Sequence, residues 1–431
     1  MENLIGRTKL AIPEQRSTSG EVLSESRSID LVASLEERRL HLLLWDRAKE
    51  PLIAPEIDAG EGVVYQVPSF HSSILDAVRF PSGAVEFGTI SELFKKVSDV
   101  YQKHGRFPQD LAAYTTCATL ASWIPEILTV PLTLCVSDAS TQTPGLFRLL
   151  APVVRRGLAV AELSRRLPFS LHPTLLVDDP MLSAKGRAFW QAANRPGLFV
   201  ARTQGTVYQF SCSKIVVLQP GDSPDAWGED AMHLVLPPAE LPILSNQLLN
   251  SIATEFQPQL EMFRLRILSG MDPFVSGSNP LAKFALPRNL GACIPDDPEI
   301  VKILTPLFEA HQEDVLSQRS RDPSFATLEA IWVSSHQQDE LSAGEITNRV
   351  NAILRSRGVN QEFNVREIGW KLRHLGLTTA SNGKCKVLKF ADGITGSRIH
   401  RCVREFQAKV PFQKDCAYCL ALEATDKKPD Q

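Results

Sequence analysis

The segment LTLCVSDASTQTPGLFRLL, residues 132–150, indicates the fold class. It begins with an apolar run at 132–136, continues through a polar turn and ends in a stretch with the apolar spacing of a helix. Similar apolar runs recur at residues 158–163, 174–177, 215–218 and 234–236. Such runs are typical of strands buried on both faces, and helical stretches lie between them. The pattern predicts an α/β fold with a mainly parallel sheet and helices on both faces.

Length and composition exclude several classes of protein. The chain has 431 residues, enough for two or three domains of about 150 residues each. Hydrophobic residues make up 43% and charged residues 22%, which excludes disorder as the dominant state. The longest uncharged stretch, 111–125, is shorter than the ~18–20 residues of a membrane helix, and residues 1–16 lack the apolar core of a secretory signal. We therefore expect a cytoplasmic protein without a membrane partner.

The polar turn at residues 137–144 lies where a nucleotide-hydrolysing protein carries its glycine-rich phosphate loop. That loop needs a Gly-Lys-Ser/Thr sequence, and the turn has none. Thr143 stands at the lysine position, and Pro144 stands where a hydroxyl group would hold magnesium. Asp138 adds a negative charge close to the expected polyanion. Thr141 and Thr143 remain as the candidate phosphate contacts of a degenerate loop.

Asp178 and Asp179 follow the apolar run at 174–177. Two acids at the end of a strand are the pattern with which nucleotide hydrolases hold magnesium and activate water. The same pair before Pro180 is also typical of a turn, because aspartate accepts hydrogen bonds from the backbone N–H groups that follow it. Both interpretations are open.

Six short segments of the chain resemble segments of a known protein family. They are VPSF at 67–70, GTISELF at 88–94, ASWIP at 121–125, LFRLL at 146–150, LLVDD at 175–179 and LGAC at 290–293. In this order, across residues 62–373, the chain resembles ATPase-like proteins of phages, plasmids and integrated elements that are related to primase–helicase replication proteins. The resemblance implies a P-loop NTPase-like domain with ATP and magnesium in the turn, a homo-oligomer, and a role in the replication, maintenance or regulation of a mobile element.

The chain departs from that family in two places. One is the phosphate turn, and the other is the acidic segment 225–230, where the family would carry an arginine that reaches the γ-phosphate of a neighbouring subunit. Loss of such an arginine typically costs about 10³–10⁵ in rate. We therefore expect no ATP hydrolysis. The alternative is an active ATPase with an unorthodox loop, in which Asp178 and Asp179 hold magnesium.

Positive charge is concentrated near the C-terminus. Residues 344–414 contain fourteen Lys and Arg and five Asp and Glu, so the net charge of this region is +9. The net charge of the whole chain is −3, which leaves −12 for the other residues. Such segregation is typical of a module that binds a polyanion.

This basic region also shows strong local signals. Ser342 with Glu345 and Asn364 with Glu367 form two capping boxes, and each starts a helix. Residues 381–384, Ser-Asn-Gly-Lys, predict a hairpin turn. Helix, helix and basic hairpin in this order resemble a winged helix.

A winged helix would bind duplex DNA. The predicted contacts are Arg366, Trp370, Lys371, Arg373 and His374 on the second helix and Lys384 and Lys386 on the hairpin. We expect the arginines to contact guanine edges and the two hairpin lysines to contact phosphates. Trp370 is expected to pack under the hairpin, with stacking on a base as the alternative. The alternative is a protein-interaction module whose partner is acidic.

The tail contains a Cys-x-x-Cys motif, and a histidine and a further cysteine precede it. Four nitrogen and sulfur ligands in two pairs suit tetrahedral zinc. The predicted ligands are His400, Cys402, Cys416 and Cys419, with free thiols or a redox pair as alternatives.

These observations divide the chain into six segments. We expect a flexible arm (1–30), an N-terminal α/β and helical region (31–125), a degenerate P-loop NTPase-like domain (126–271), a helical connector (272–325), a winged-helix domain (326–395) and a basic helix with the Cys-x-x-Cys tail (396–431).

Overall fold

Two units make up the protein, Met1–Gln312 and Glu313–Gln431. The computed structural model describes residues 14–17, 20–24, 27–34, 39–47, 49–60, 63–69, 73–137, 142–164, 167–193, 195, 200–201, 207–208, 212–219, 222, 224–270, 279–390, 393–406, 408, 410–411 and 413–426.

The first unit begins with two small sheets. Their elements are β1 (Glu14–Ser17), β2 (Gly20–Ser24), β3 (Arg27–Ser34), β4 (Arg39–Asp46), β5 (Lys49–Ala54), β6 (Glu56–Gly60), β7 (Val63–Gln66) and α1 (Ser73–Ala77). Strands β2 to β5 form an antiparallel sheet in chain order, and β1, β7 and β6 form a second sheet in which β1 runs parallel to β7. The prediction of a flexible arm over residues 1–30 is therefore wrong for the described residues from 14 onward. Their Ser, Glu and Arg content concealed these strands. Strands β2, β3 and β4 pair with their neighbours in the chain, whereas β1 pairs with β7, which is distant along the chain.

An α/β layer follows. Its elements are α2 (Ile90–Gly105), α3 (Gln109–Trp123), β8 (Thr133–Ser137), α4 (Thr143–Leu150), β9 (Leu158–Val160), β10 (Leu175–Val177), α5 (Ala184–Ala193), β11 (Val200–Ala201), β12 (Val207–Tyr208), β13 (Lys214–Val217), β14 (Ala231–Val235) and α6 (Asn246–Leu268). Five strands form a parallel sheet in the order β14-β8-β13-β10-β9. The predicted α/β fold with a parallel sheet is confirmed.

Both faces of this sheet are covered. Leu134 and Met232 point into a large apolar cluster built with α2, α3, α4 and α6. Val177 and Val216 point into a second cluster that contains Trp190 of α5. Because α3 packs in the same cluster as the sheet, the boundary predicted between residues 125 and 126 does not separate two compact units.

The rest of the chain is mainly helical. It contains α7 (Ala285–Leu290), α8 (Pro298–Arg321), α9 (Pro323–Trp332), α10 (Ser334–Gln337), β15 (Glu340–Ser342), α11 (Ala343–Ser356), α12 (Val365–His374), β16 (Ala380–Ser381), β17 (Lys386–Lys389), α13 (Gly393–Glu405) and α14 (Ala417–Asp426). Short 3₁₀ helices lie at Phe169–Leu171, Pro224–Trp227, Pro280–Lys283 and Gly291–Cys293. In the second unit, β15, β17 and β16 form an antiparallel sheet in that order.

One apolar core holds the second unit together. Ile331 of α9, Ile346 of α11, Ile368 of α12, Ile399 of α13 and Cys419 of α14 all belong to it. The boundary predicted between residues 395 and 396 is therefore wrong, because α13 and α14 complete the same core. The unit also begins earlier than the predicted residue 326, within α8.

A buried ion cluster links the N-terminal sheet to the helices of the first unit. Asp30 of β3 is 1% exposed and accepts hydrogen bonds from Arg155 Nη2 at 3.1 Å, from Arg264 Nε at 2.6 Å and from Arg156. Burial raises the pKa of Asp30, but the charges of Arg156, Arg155 and Arg264 outweigh burial and hold that pKa well below its usual range. Glu126 accepts two further bonds from Arg264, at 2.7 and 2.9 Å.

Glu261 of α6 is the unusual member of this cluster. It is 1% exposed, and its Oε1 has no hydrogen-bond partner among the residues that the structure describes. Burial, and then the negative charge of Asp30, raise its pKa to about 8. Glu261 is therefore mostly protonated at neutral pH.

Asp30→Asn should destabilise the first unit by about 3–5 kcal/mol, because three buried guanidinium groups would lose their shared carboxylate. Urea unfolding measures this free energy. The matched control is Asp99→Asn at an exposed position of α2, which should stay within about 0.5 kcal/mol of wild type. Equal effects of the two substitutions would contradict a structural role for the cluster.

Glu261→Gln should flatten a decrease in stability that the wild-type protein shows between about pH 6.5 and 8. The folded state holds a proton on Glu261 that the unfolded chain has released, so this contribution to stability falls as the pH rises toward 8. The slope is at most about 1.4 kcal/mol per pH unit. His172, whose pKa burial lowers to about 4, affects stability below this range. Exposed Glu255→Gln is the control, and parallel profiles for both variants would show that Glu261 ionises normally.

Candidate functional site

Helix α12 is held by its two ends and one buried side. The Asn364 side chain accepts hydrogen bonds from the N–H groups of Arg366 at 3.0 Å and Glu367 at 3.1 Å, as the predicted capping box requires. Ile368 and Leu372 lie in the core of the second unit. Gly376 ends the helix with a φ of +74°, a conformation that favours glycine.

The opposite side of α12 carries a stripe of three exposed side chains, Arg366, Trp370 and Arg373. They are spaced i, i+4 and i+7, so they share one face of the helix. Trp370 is 49% exposed, and the Arg366 guanidinium lies over its ring at 5.2 Å from the centroid. The prediction that Trp370 packs under the hairpin is wrong, because residue 370 lies two positions from both Ile368 and Leu372 and so faces away from the core.

Gly369 lies between these side chains in the middle of α12. A mid-helix glycine costs about 1 kcal/mol relative to alanine. A Cβ at this position would meet nothing within 4 Å, so packing among the described residues does not require glycine here. A glycine on an exposed basic face is the arrangement that lets a ligand approach the backbone closely.

The predicted hairpin next to α12 is confirmed. Strands β16 and β17 pair on either side of the turn, and the Asn382 side chain accepts hydrogen bonds from the N–H groups of Lys384 at 3.1 Å and Cys385 at 3.0 Å. Lys384 and Lys386 are exposed. On α12, His374 is also exposed and Lys371 is half-buried.

The basic residues of this region fall into two groups, those with partners inside the protein and those without an acidic partner in the described ranges. Some arginines have internal partners: Arg355 pairs with Glu362, Arg357 with Glu329, Arg349 with Ser334 and Arg398 with the Leu375 carbonyl. In contrast, a second group has no acidic partner in the part of the chain that the structure describes. Its members are Arg366, Lys371, Arg373, Lys384 and Lys386. Among the described residues, the cations without an acidic partner thus include those of α12 and the hairpin, and exposed Arg401 and Arg404 of α13 add to them.

At the phosphate turn, Thr141 and Asp138 lie outside the described residues. Thr143 begins α4 and is 5% exposed. The amide of Gln142 is also engaged: its Nε2 donates to the Pro237 carbonyl at 3.2 Å, and its Oε1 accepts from the Leu241 N–H at 3.1 Å. The described residues at the start of α4 therefore contact the protein's own chain.

The two predicted magnesium ligands have different partners. Asp179 is buried and accepts hydrogen bonds from the N–H groups of Leu163 and Met181, each at 3.0 Å. This is the geometry of the turn interpretation. Asp178 is half-buried and accepts from the Gln219 side chain at 3.0 Å, across the adjacent strands β10 and β13.

The structure brings together three of the four predicted zinc ligands. His400, Cys416 and Cys419 lie in one group, and the fourth member is His336 of α10. Cys402 is not a member, which corrects the prediction. Residues two apart on a helix face opposite sides, and Cys402 Sγ lies 3.4 Å from the Leu375 carbonyl instead. His336 was missed because it is distant in sequence and belongs to no recognisable motif.

Nineteen chains of solved structures match this chain. No protein-family model and no curated protein match the chain. Among solved structures, the full-length MCM homolog from Methanopyrus kandleri aligns over 67% of this chain and 76% of its own, with 12% identity and a TM-score of 0.34. An apo structure of the NrS-1 C-terminal region aligns over 84% of this chain and 96% of its own, with 10% identity and a TM-score of 0.31.

Within the described ranges, no helix combines the length and the apolar character that crossing a membrane requires.

Proposed function

We propose that the second unit binds duplex DNA as a winged helix. In this proposal, α12 enters the major groove and the hairpin β16–β17 contacts the adjacent backbone. The observation that carries the proposal is the exposed stripe Arg366, Trp370 and Arg373 on a well-capped helix, beside two exposed lysines of a hairpin. The order of elements, α9, β15, α11, α12, β16 and β17, supports it.

The dimensions of the stripe suit a groove. Arg366 and Arg373 are seven residues apart, so their Cα atoms are separated by about 10.5 Å along the helix axis. This equals about three base-pair steps of 3.4 Å. An arginine donates two parallel hydrogen bonds to the O6 and N7 atoms of guanine, so the two residues can contact guanines about three steps apart. Gly369, between them, leaves room for the groove wall.

The hairpin lysines have a different role. Lys384 and Lys386 are flexible point charges that suit phosphate oxygens, and such contacts position a protein on DNA without selecting its sequence. Each phosphate contact releases counterions, which makes binding weaker as salt rises.

We further propose that the first unit is a scaffold that does not hydrolyse ATP. The sequence lacks the phosphate-loop lysine and the magnesium-binding hydroxyl group, and Thr143 and Asp179 have structural contacts. The resemblance noted in the sequence adds an expected role in the replication or maintenance of a mobile element, as a homo-oligomer in the cytoplasm.

Arg366→Ala and Arg373→Ala should each weaken binding to a preferred duplex by about 1–3 kcal/mol, roughly 5- to 150-fold, and reduce the preference among sequences. Lys384→Ala should weaken binding to all duplexes alike and reduce the salt slope by about 1. Fluorescence anisotropy from low to high salt measures both quantities. Lys302→Ala, at an exposed position of α8, is the matched control and should bind as wild type.

Gly369→Ala separates a binding role from a folding role in the same titration. Alanine should stabilise α12 by about 0.5–1 kcal/mol in urea unfolding, yet its Cβ should weaken DNA binding. Duplex binding that is absent at low salt, or that does not change with salt, would overturn the DNA proposal and favour an acidic protein partner.

ATP with magnesium should give no saturable heat in calorimetric titration and no phosphate release above background. Asp178→Ala serves as the control for contaminating ATPases, because only turnover by this protein can depend on that carboxylate. Turnover in wild type that Asp178→Ala abolishes would establish the active-ATPase alternative instead.

A further inference from the structure

We infer that His336, His400, Cys416 and Cys419 bind a structural Zn²⁺ ion, which fastens the start of α14 to the rest of the second unit. The four residues come from three places: His336 from α10, His400 from α13, and the two cysteines from the start of α14. Their nitrogen and sulfur atoms all lie within 4.8 Å of one another.

Four of the six separations within the group are close to the edges of a zinc tetrahedron. With Zn–S of about 2.3 Å and Zn–N of about 2.05 Å, tetrahedral angles place two nitrogens about 3.3 Å apart and a nitrogen about 3.6 Å from a sulfur. Here the two histidine Nε2 atoms are 3.1 Å apart. Cys416 Sγ and Cys419 Sγ each lie 3.4 Å from His400 Nε2, and Cys419 Sγ lies 3.5 Å from His336 Nε2.

The orientation of both imidazole rings also suits a metal ion. His336 Nδ1 lies 2.8 Å from the Trp332 carbonyl, and His400 Nδ1 lies 2.7 Å from the Gly396 carbonyl. A carbonyl only accepts, so Nδ1 carries the proton in each ring and the neutral ring directs an Nε2 lone pair toward the other ring. Two lone pairs at 3.1 Å repel unless a proton or a metal ion lies between them, and the two cysteine sulfurs beside them favour the metal ion. Bonding of the remote ring N–H to a carbonyl is typical of metal-bound histidine.

The ligand set and its surroundings select the metal and its role. Two thiolates with two imidazoles suit zinc, whereas magnesium and calcium need oxygen ligands. Four protein ligands fill the tetrahedron and leave no position for water or substrate. The Trp332 ring packs at 4.6 Å from each histidine ring, and His400 and Cys419 are 4% and 2% exposed. The site is therefore structural.

The ion would hold α13 and the start of α14 in place. Tyr418, between the two cysteines, packs against Gly393 and Gly396 of α13, and its hydroxyl donates to the Gly393 carbonyl at 3.0 Å. On α13, Arg398 Nε donates to the Leu375 carbonyl at 2.8 Å, at the end of α12. Zinc thus fixes the helix that supports the C-terminal end of α12.

Metal analysis of the full-length protein tests the inference. Wild type should contain one zinc per chain, and Cys416→Ser and His336→Ala should contain less than a tenth of that. Cys402→Ala and Cys385→Ser are the matched controls and should keep the full zinc content, because neither residue belongs to the group. Zinc that is lost with Cys402→Ala but retained with His336→Ala would overturn the proposed ligand set.

A measurement on the wild-type protein does not depend on how the variants fold. Alkylation of the native protein should modify exposed Cys385 at once and protect Cys416 and Cys419 until a chelator is added. The chelator should also lower the Tm of the wild type. Substoichiometric zinc after purification in zinc-supplemented buffer, together with a chelator-independent alkylation rate, would show free thiols or a redox pair and overturn the site.

Discussion

The Asp30 carboxylate is the interaction on which the first unit depends. The side chains of three arginines are buried around it. Arg155 and Arg156 follow α4, and Arg264 lies on α6. Guanidinium groups keep their charge at neutral pH, so a buried one needs a negative partner. That partner comes from β3, which makes the N-terminal antiparallel sheet an obligatory part of the unit. With Glu261 kept mostly neutral beside it, the cluster sets these three arginines against two carboxylates, Asp30 and Glu126.

Charged side chains have different roles in the two units. In the first unit, Arg155, Arg156 and Arg264 are buried and hydrogen-bonded to carboxylates and carbonyls, so they stabilise packing and are shielded from solvent. In the second unit, α12 and the hairpin carry exposed cations that lack acidic partners within the described residues. A buried, paired charge offers nothing to a phosphate. The ligand-binding capacity that we propose therefore belongs to the second unit.

The sequence by itself determined the features that depend on neighbours a few residues apart. The capping boxes of Asn364 and Ser342, the turn at Asn382 and the buried runs of the parallel sheet all formed as predicted. The residues that form each feature lie within one turn of helix, one hairpin or one strand, so they can be recognised together in the sequence. For the same reason, most of the exposed basic residues of the candidate site could be predicted from helical spacing and strand alternation.

Tertiary structure alone decided the rest. It paired Glu14–Ser17 with β7 and placed His336, rather than Cys402, in the ligand group. Asp30 and Arg264 are 234 positions apart, and His336 and His400 are 64 positions apart. No local preference specifies such pairs. They form only because packing brings distant backbones together, and burial then makes an unpaired charge or lone pair too costly to leave.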